Sequence, residues 1–155
     1  MALQVPQPQP FTGKDGSLLM DALNFLNELV RRVLGTAFQW GTASVSGQTA
    51  AIATTAISTQ SLSAGLYRVS YSLRISQAAG TSSSATLTLS WTNGASVSCS
   101  QSFAAVTGNT TSTQQNGVAV IDIAAASSVS YAVAYASVGV PSMSYALDVR
   151  LEQLP

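Results

Sequence analysis

Few side chains in this sequence could do chemistry. With no histidine, a Ser/His/Asp or Cys/His nucleophile system cannot be assembled, and imidazole metal sites are excluded. Lys14, the only lysine, lies in a Pro/Gln-rich stretch, so a Ser/Lys pair would need that stretch to fold back. Gly13 and Gly16 lack the spacing and the preceding strand of a phosphate-binding loop. Beyond residue 35 the carboxylates are Asp122, Asp148 and Glu152, and two of them could form an acid/base pair or hold a calcium ion. Their neighbours favour charge pairing instead: Asp148 and Glu152 flank Arg150 on one face of a strand, and Asp122 is expected to pair with Arg68 or Arg74. We therefore expect no catalytic residue, no metal site and no cofactor, and hence no enzyme. Cys99 is the only cysteine, so the chain forms no internal disulfide, which suits folding in a reducing cytoplasm.

Charge bounds the partners. Charged residues make up 8% of the chain, half of them lie between Lys14 and Arg32, and none falls between Arg74 and Asp122. Net charge is zero, so no basic patch exists for nucleic acid. Solubility rests on Ser, Thr, Asn and Gln, which hydrate well but repel one another poorly, and this favours a protein held in an assembly. The opening MALQVPQPQP has neither a basic n-region nor an apolar h-region, so no secretory signal is expected there. No membrane insertion is expected either, because the most apolar helical segment is apolar on one side only.

Three regions must position whatever the chain does. Residues 1–16 read as an extended tether, with Pro6, Pro8 and Pro10 alternating with Gln, expected to lie on a partner chain. Residues 17–35 read as an amphipathic helix. At about 100° per residue its apolar side chains fall within an arc of roughly 180°, with Asp21, Asn24, Asn27, Glu28, Arg31 and Arg32 opposite. Ser17 can cap it, Arg31 and Arg32 suit its negative end, and Gly35 can stop it. One apolar row comprises Leu19, Leu23, Leu26, Val30 and Val33, and the other Leu18, Ala22, Phe25 and Leu29. Two rows suit a helix that touches two neighbours at once. Leu18, Leu19, Leu23, Phe25, Leu26, Leu29, Val30 and Val33 are thus the candidate oligomerisation and attachment residues.

From residue 36 to 155 the periodicity becomes two. Two short strands are expected between Ala37 and Gln60. In GLYRVSYSLRIS, Tyr67, Val69, Tyr71, Leu73 and Ile75 alternate with Arg68, Ser70, Ser72, Arg74 and Ser76, the pattern of an antiparallel strand with one wet face. Residues 77–84 read as a loop. Ala85, Leu87, Leu89 and Trp91 alternate up to Asn93-Gly94, a type I′ hairpin signal, after which Ala95, Val97 and Cys99 resume, with Cys99 pointing into the core. Residues 107–117 read as a polar loop and VAVIDIA, residues 118–124, as a strand covered on both sides. Val129, Tyr131, Val133 and Tyr135, then Met143, Tyr145, Leu147, Val149 and Leu151 beyond a Gly139-Val140-Pro141 turn, complete about eight strands. The expected fold is mainly β, an antiparallel β-sandwich of jelly-roll topology preceded by the tether and the helix. The five tyrosines belong in its core, which leaves the loops at 77–84 and 107–117 as the candidates for receptor recognition. Outward Ala132, Ala134, Ala136 and Ala146 would let another subunit approach closely.

FTGKDGSLLMDALNFLNELVRRV resembles the N-terminal attachment segment of small tail and fibre proteins of tailed bacteriophages, in which a DG-S/T-L turn leads into a short helix. SAGLYRVSYSLRIS, the TLTLSWTNG hairpin and SYAVAYASVGVPSMSYALDVRLEQL resemble the trimeric jelly-roll modules of phage fibres and, more distantly, the C1q/TNF-like fold. The resemblance implies a homotrimeric virion component, made in the host cytoplasm and fixed through its N-terminus to another virion protein. A receptor-binding tip that contacts host surface glycans or proteins is the alternative.

Overall fold

The computed structural model describes Leu26, residues 38–58 and residues 60–154. The chain divides into two compact units, Met1–Thr36 and Ala37–Pro155. Of the first unit only Leu26 is described; it is helical and 53% exposed. The tether and the other helix residues named above, Leu18, Leu19, Leu23, Phe25, Leu29, Val30 and Val33, lie outside the described residues.

The second unit is mainly β. Its strands are β1 (Phe38–Gln48), β2 (Ile52–Ala56), β3 (Gly65–Gln77), β4 (Ser82–Thr92), β5 (Ser98–Ser102), β6 (Val106–Thr107), β7 (Gln114–Ile123), β8 (Ser130–Val138) and β9 (Ser144–Gln153). They form two sheets, one in the order β1-β9-β3-β7 and the other β2-β8-β4-β5, with β6 also on β4. Every strand pair is antiparallel. We call these the first and second sheets. The chain changes sheet at every connection except the two that join β4, β5 and β6.

Period-two alternation builds the core directly, because side chains at i and i+2 leave a strand on the same side. Tyr67, Val69, Tyr71, Leu73 and Ile75 of β3, and Tyr145, Leu147, Val149 and Leu151 of β9, are all buried. They share one cluster with Ala85, Leu87 and Leu89 of β4 and Tyr131 and Val133 of β8, an arrangement consistent with the expected β-sandwich. Each large side chain so buried contributes roughly 1.5–3 kcal/mol relative to exposure. Buried phenols keep a partner: Tyr67 Oη donates to Ser63 O at 3.0 Å and Tyr145 Oη to Ala50 O at 2.9 Å. Where the sheets meet at β1, only glycine fits at position 41, since a Cβ there would stand 2.4 Å from Ile57 O.

Several expectations are corrected. β4 begins at Ser82, so the loop expected over 77–84 shrinks to residues 78–81; β6 and the start of β7 likewise reduce the 107–117 loop to residues 108–113. Ser82, Ser83 and Ser84 begin β4 and Gln114, Gln115, Asn116 and Gly117 begin β7, polar or small residues whose weak strand signal hides pairing that the neighbouring strands supply. The Asn93-Gly94 hairpin forms, but positive φ falls at Ser96 and not at Asn93 or Gly94. Asn93 Oδ1 accepts from the N–H groups of Ala95 and Val97, which stabilises a longer turn than type I′. That turn leaves Val97 55% exposed. The strand over VAVIDIA is covered on one side only: β7 is an edge strand, and Val118 and Val120 are 59% and 60% exposed.

Candidate interaction surfaces

The carboxylates lie apart in function. Arg68 donates from Nε to Glu152 Oε2 at 2.9 Å, an ion pair across the β3–β9 ladder. Asp148 Oδ1 accepts from Ser44 Oγ at 2.6 Å. Contrary to expectation, Asp122 pairs with neither Arg68 nor Arg74; its Oδ2 accepts from the Gly94 N–H at 3.0 Å and ties β7 to the β4–β5 turn. Register explains the miss, because Asp122 stands opposite Leu66 and Arg68 opposite Val120. Among the described residues no group of three or more His, Cys, Asp or Glu side chains could hold a metal ion. Cys99 shares the inward parity of Trp91, yet it is only half-buried because β5 is an edge strand.

Charge separates the two sheets. Arg68, Arg74, Asp122, Asp148, Arg150 and Glu152 are the only charged residues from 38 to 154, and all six alternate outward on the first sheet. No strand of the second sheet contains a charged residue. Its outer face consists of short side chains in register: Ser84 opposite Ala136, Thr86 opposite Ala134, Thr88 opposite Ala132 and Ser90 opposite Ser130. Thr88 Oγ1 and Ser102 Oγ share a hydrogen bond at 2.8 Å across β4 and β5. No protein-family model matches the chain, and no curated protein matches it significantly. Its surfaces therefore carry the functional reading.

Each face has a shallow trough. On the first sheet about 680 Å³ opens over Ser70 and Ser72, walled by Asn116, Val118, Asp148 and Arg150. On the second sheet about 390 Å³ opens between the hydroxyl side chains of Ser90, Thr92, Ser98, Ser100, Ser128 and Ser130, with Trp91 and Cys99 also lining it. Short residues on central β3 between longer ones on β7 and β9 produce the first depression.

The outward alanines only partly match expectation. Ala134 and Ala136 are exposed and Ala132 is half-buried, whereas Ala146 is 7% exposed although it alternates outward. Tyrosines available for stacking a sugar are scarce, since Tyr67, Tyr71, Tyr131 and Tyr145 are buried and Tyr135 donates its hydroxyl to Met143 O at 2.7 Å. Burial raises the Tyr71 phenol above its ordinary value. Tyr145 is pushed up to about 12, chiefly by burial and further by the phenols of Tyr131 and Tyr135.

The loops after β3 and β6, distant in sequence, meet at one end. Ala79 N–H donates to Gly108 O at 2.9 Å, and Gly80 N–H donates to Pro141 O at 2.9 Å. Loops 78–81, 108–113 and 139–142 thus form one cluster. Among the described residues no helix is long and apolar enough to cross a membrane.

Proposed function

We propose that this chain is a structural virion protein of a tailed bacteriophage, a homotrimeric fibre, tail or decoration component anchored to a neighbouring virion protein by residues 1–16. In this reading the β-domain is a jelly roll. Supporting that topology, the strand order β1-β9-β3-β7 and β2-β8-β4-β5 interleaves early and late strands in both sheets, as two nested Greek keys do.

The observation that carries the oligomeric part is the charge-free outer face of the second sheet. Exposed β-surfaces ordinarily carry charges that keep copies apart. Here three strands offer only Ser, Thr, Ala and, at the end of β8, Val138 at contact positions, so three copies can pack by these faces without desolvating an ion. The helix over residues 17–35 adds its two apolar rows to the same association, and residues 1–16 hold the trimer on the virion.

Light scattering on the purified full chain should give the mass of three copies of 15.9 kDa, or a multiple of it. A monomer at micromolar concentration overturns the trimer. Mass spectrometry of purified virions should find the chain, and its absence from them overturns the virion reading.

A receptor-binding tip is the second reading, and the clustering of loops 78–81, 108–113 and 139–142 favours it. Loops gathered at one end of a rigid β-scaffold are a common way of presenting a recognition surface. Binding to whole host cells that is lost when residues 109–112 are replaced by Gly and Ser would promote this reading over the purely structural one.

A further inference from the structure

Among the described residues five strands pair on one side only, and four of them are blunted, β6 by its length of two residues. β1 changes register between Gln39 and Gly41 and again between Val45 and Gln48. β2 has five residues and shifts between Ile52 and Thr55, and β5 also has five. Bulges and short length are the usual defences of a strand with one side unpaired. β7 has neither. It runs ten residues, its register on β3 is unbroken from Gly65–Ile123 to Arg74–Gln114, and it contains no proline and no lysine or arginine.

The phase of its hydrogen bonds can be read from one contact. Ile75 N–H donates to Thr113 O at 3.1 Å. In an antiparallel ladder alternate residues turn both backbone groups to the same neighbour. Gln115, Gly117, Ala119 and Ile121 therefore bond β3, while Gln114, Asn116, Val118 and Val120 present N–H and C=O to the open edge. Those same residues send their side chains to the outer face, which is why Val118 and Val120 are more than half exposed.

We propose that this edge is an interface with a second copy of the chain, which pairs its own β7 antiparallel across a two-fold axis. Strand β7 is its own complement in that arrangement. With Ala119 at the axis, Val118 stands opposite the partner's Val120, and the symmetry repeats the pair. Asn116 stands opposite the partner's Asp122. Its Oδ1 already accepts from Gln114 Nε2 at 3.0 Å, which leaves its amide N–H groups to donate to Oδ1 of that carboxylate, whose Oδ2 accepts from Gly94 N–H. No like charges meet, and two four-stranded sheets join into one of eight. The contact goes beyond the trimer proposed above and doubles whatever unit the other surfaces build.

Val118→Pro tests it. The N–H at 118 faces the open edge, so proline removes an interface donor without taking a hydrogen bond from β3. Val118→Lys is the second variant, adding a charge on the outer face with the backbone unchanged. Light scattering on the full chain should show either variant at half the mass of the wild type. Backbone amide exchange should find the N–H groups of Asn116, Val118 and Val120 protected in the wild type and fast in Val118→Lys. Equal masses for wild type and Val118→Lys, or fast exchange of those three amides in the wild type, overturn the proposal. Should Val118→Pro fail to fold, as judged by circular dichroism, Val118→Lys and the exchange measurement decide. The variant's own mass, three copies or one, reports separately on the trimer.

Discussion

The two outer faces of this domain differ more than any other pair of regions in it. On the first sheet Arg68 meets Glu152, Ser44 meets Asp148, and Arg74 and Arg150 project among them. On the second sheet the longest outward side chains of the paired strands β4, β5 and β8 are Thr and Val. Both faces rest on one core, and both alternate with period two, so neither packing nor propensity distinguishes them. What distinguishes them is the cost of bringing a neighbour close. Burying the first face would strip water from six ionic groups, each a penalty of several kcal/mol unless it is matched. Burying the second displaces water from uncharged hydroxyls, of which Thr88 and Ser102 already bond one another.

The largest effect should come from putting charge where there is none. Ala134→Arg on β8 should reduce the light-scattering mass threefold at unchanged circular dichroism, whereas Ser72→Arg, placed beside Asp148 on the first sheet, should leave the mass as it was. Equal behaviour of the two variants would remove the functional contrast between the faces.

Next in size is the core that both faces share. Leu147→Ala should lower the unfolding free energy by about 2–5 kcal/mol, measured by denaturant titration, and it should do so in a single transition. Two separated transitions would mean that the sheets stand independently.

Alkaline pH should then act through Tyr145. Its folded-state value is about 12 against an unfolded value of 10.0, so its contribution is complete below pH 10 and is lost as pH rises toward 12. The unfolded chain releases its proton first, and stability should fall with a slope of at most about 1.4 kcal/mol per pH unit for this group. Tyr145→Phe should flatten that part of the melting-temperature profile. The smallest effects are on the surface. Glu152→Gln should cost under about 1 kcal/mol and less still in high salt, while Thr88→Val on the other face should cost a similar amount that salt does not change.

Much of this architecture is legible from residue order. Tyr67 to Ile75 and Tyr145 to Leu151 announce their buried faces by alternation alone, and the structure buries every one of them. The sequence fails where local chemistry is ambiguous. Ser82 to Ser84 look like loop, and only pairing with β8 makes them strand. Val118-Ala119-Val120-Ile121 look covered on both sides because both faces are apolar; only the position of β7 at the end of its sheet shows that Val118 and Val120 face outward uncovered. Asp122 offers no clue that its partner is the backbone of Gly94, since that contact depends on where a distant turn lands.

The sequence by itself determined the class of structure and the poverty of its chemistry. Without histidine, no arrangement of the strands could have made a Ser/His/Asp or Cys/His system from the chain's own residues. It also determined which segments carry charge. What only the tertiary structure decided is that the charged strands β3, β7 and β9 lie together in one sheet, beside the uncharged β1, and that the other sheet holds no charged strand. Periodicity reports which side of a strand is buried but says nothing about which strands are neighbours, because pairing joins residues far apart in the chain. The segregation of charge, the trough of hydroxyls and the unguarded edge of β7 are therefore properties of the fold and cannot be found in any single segment.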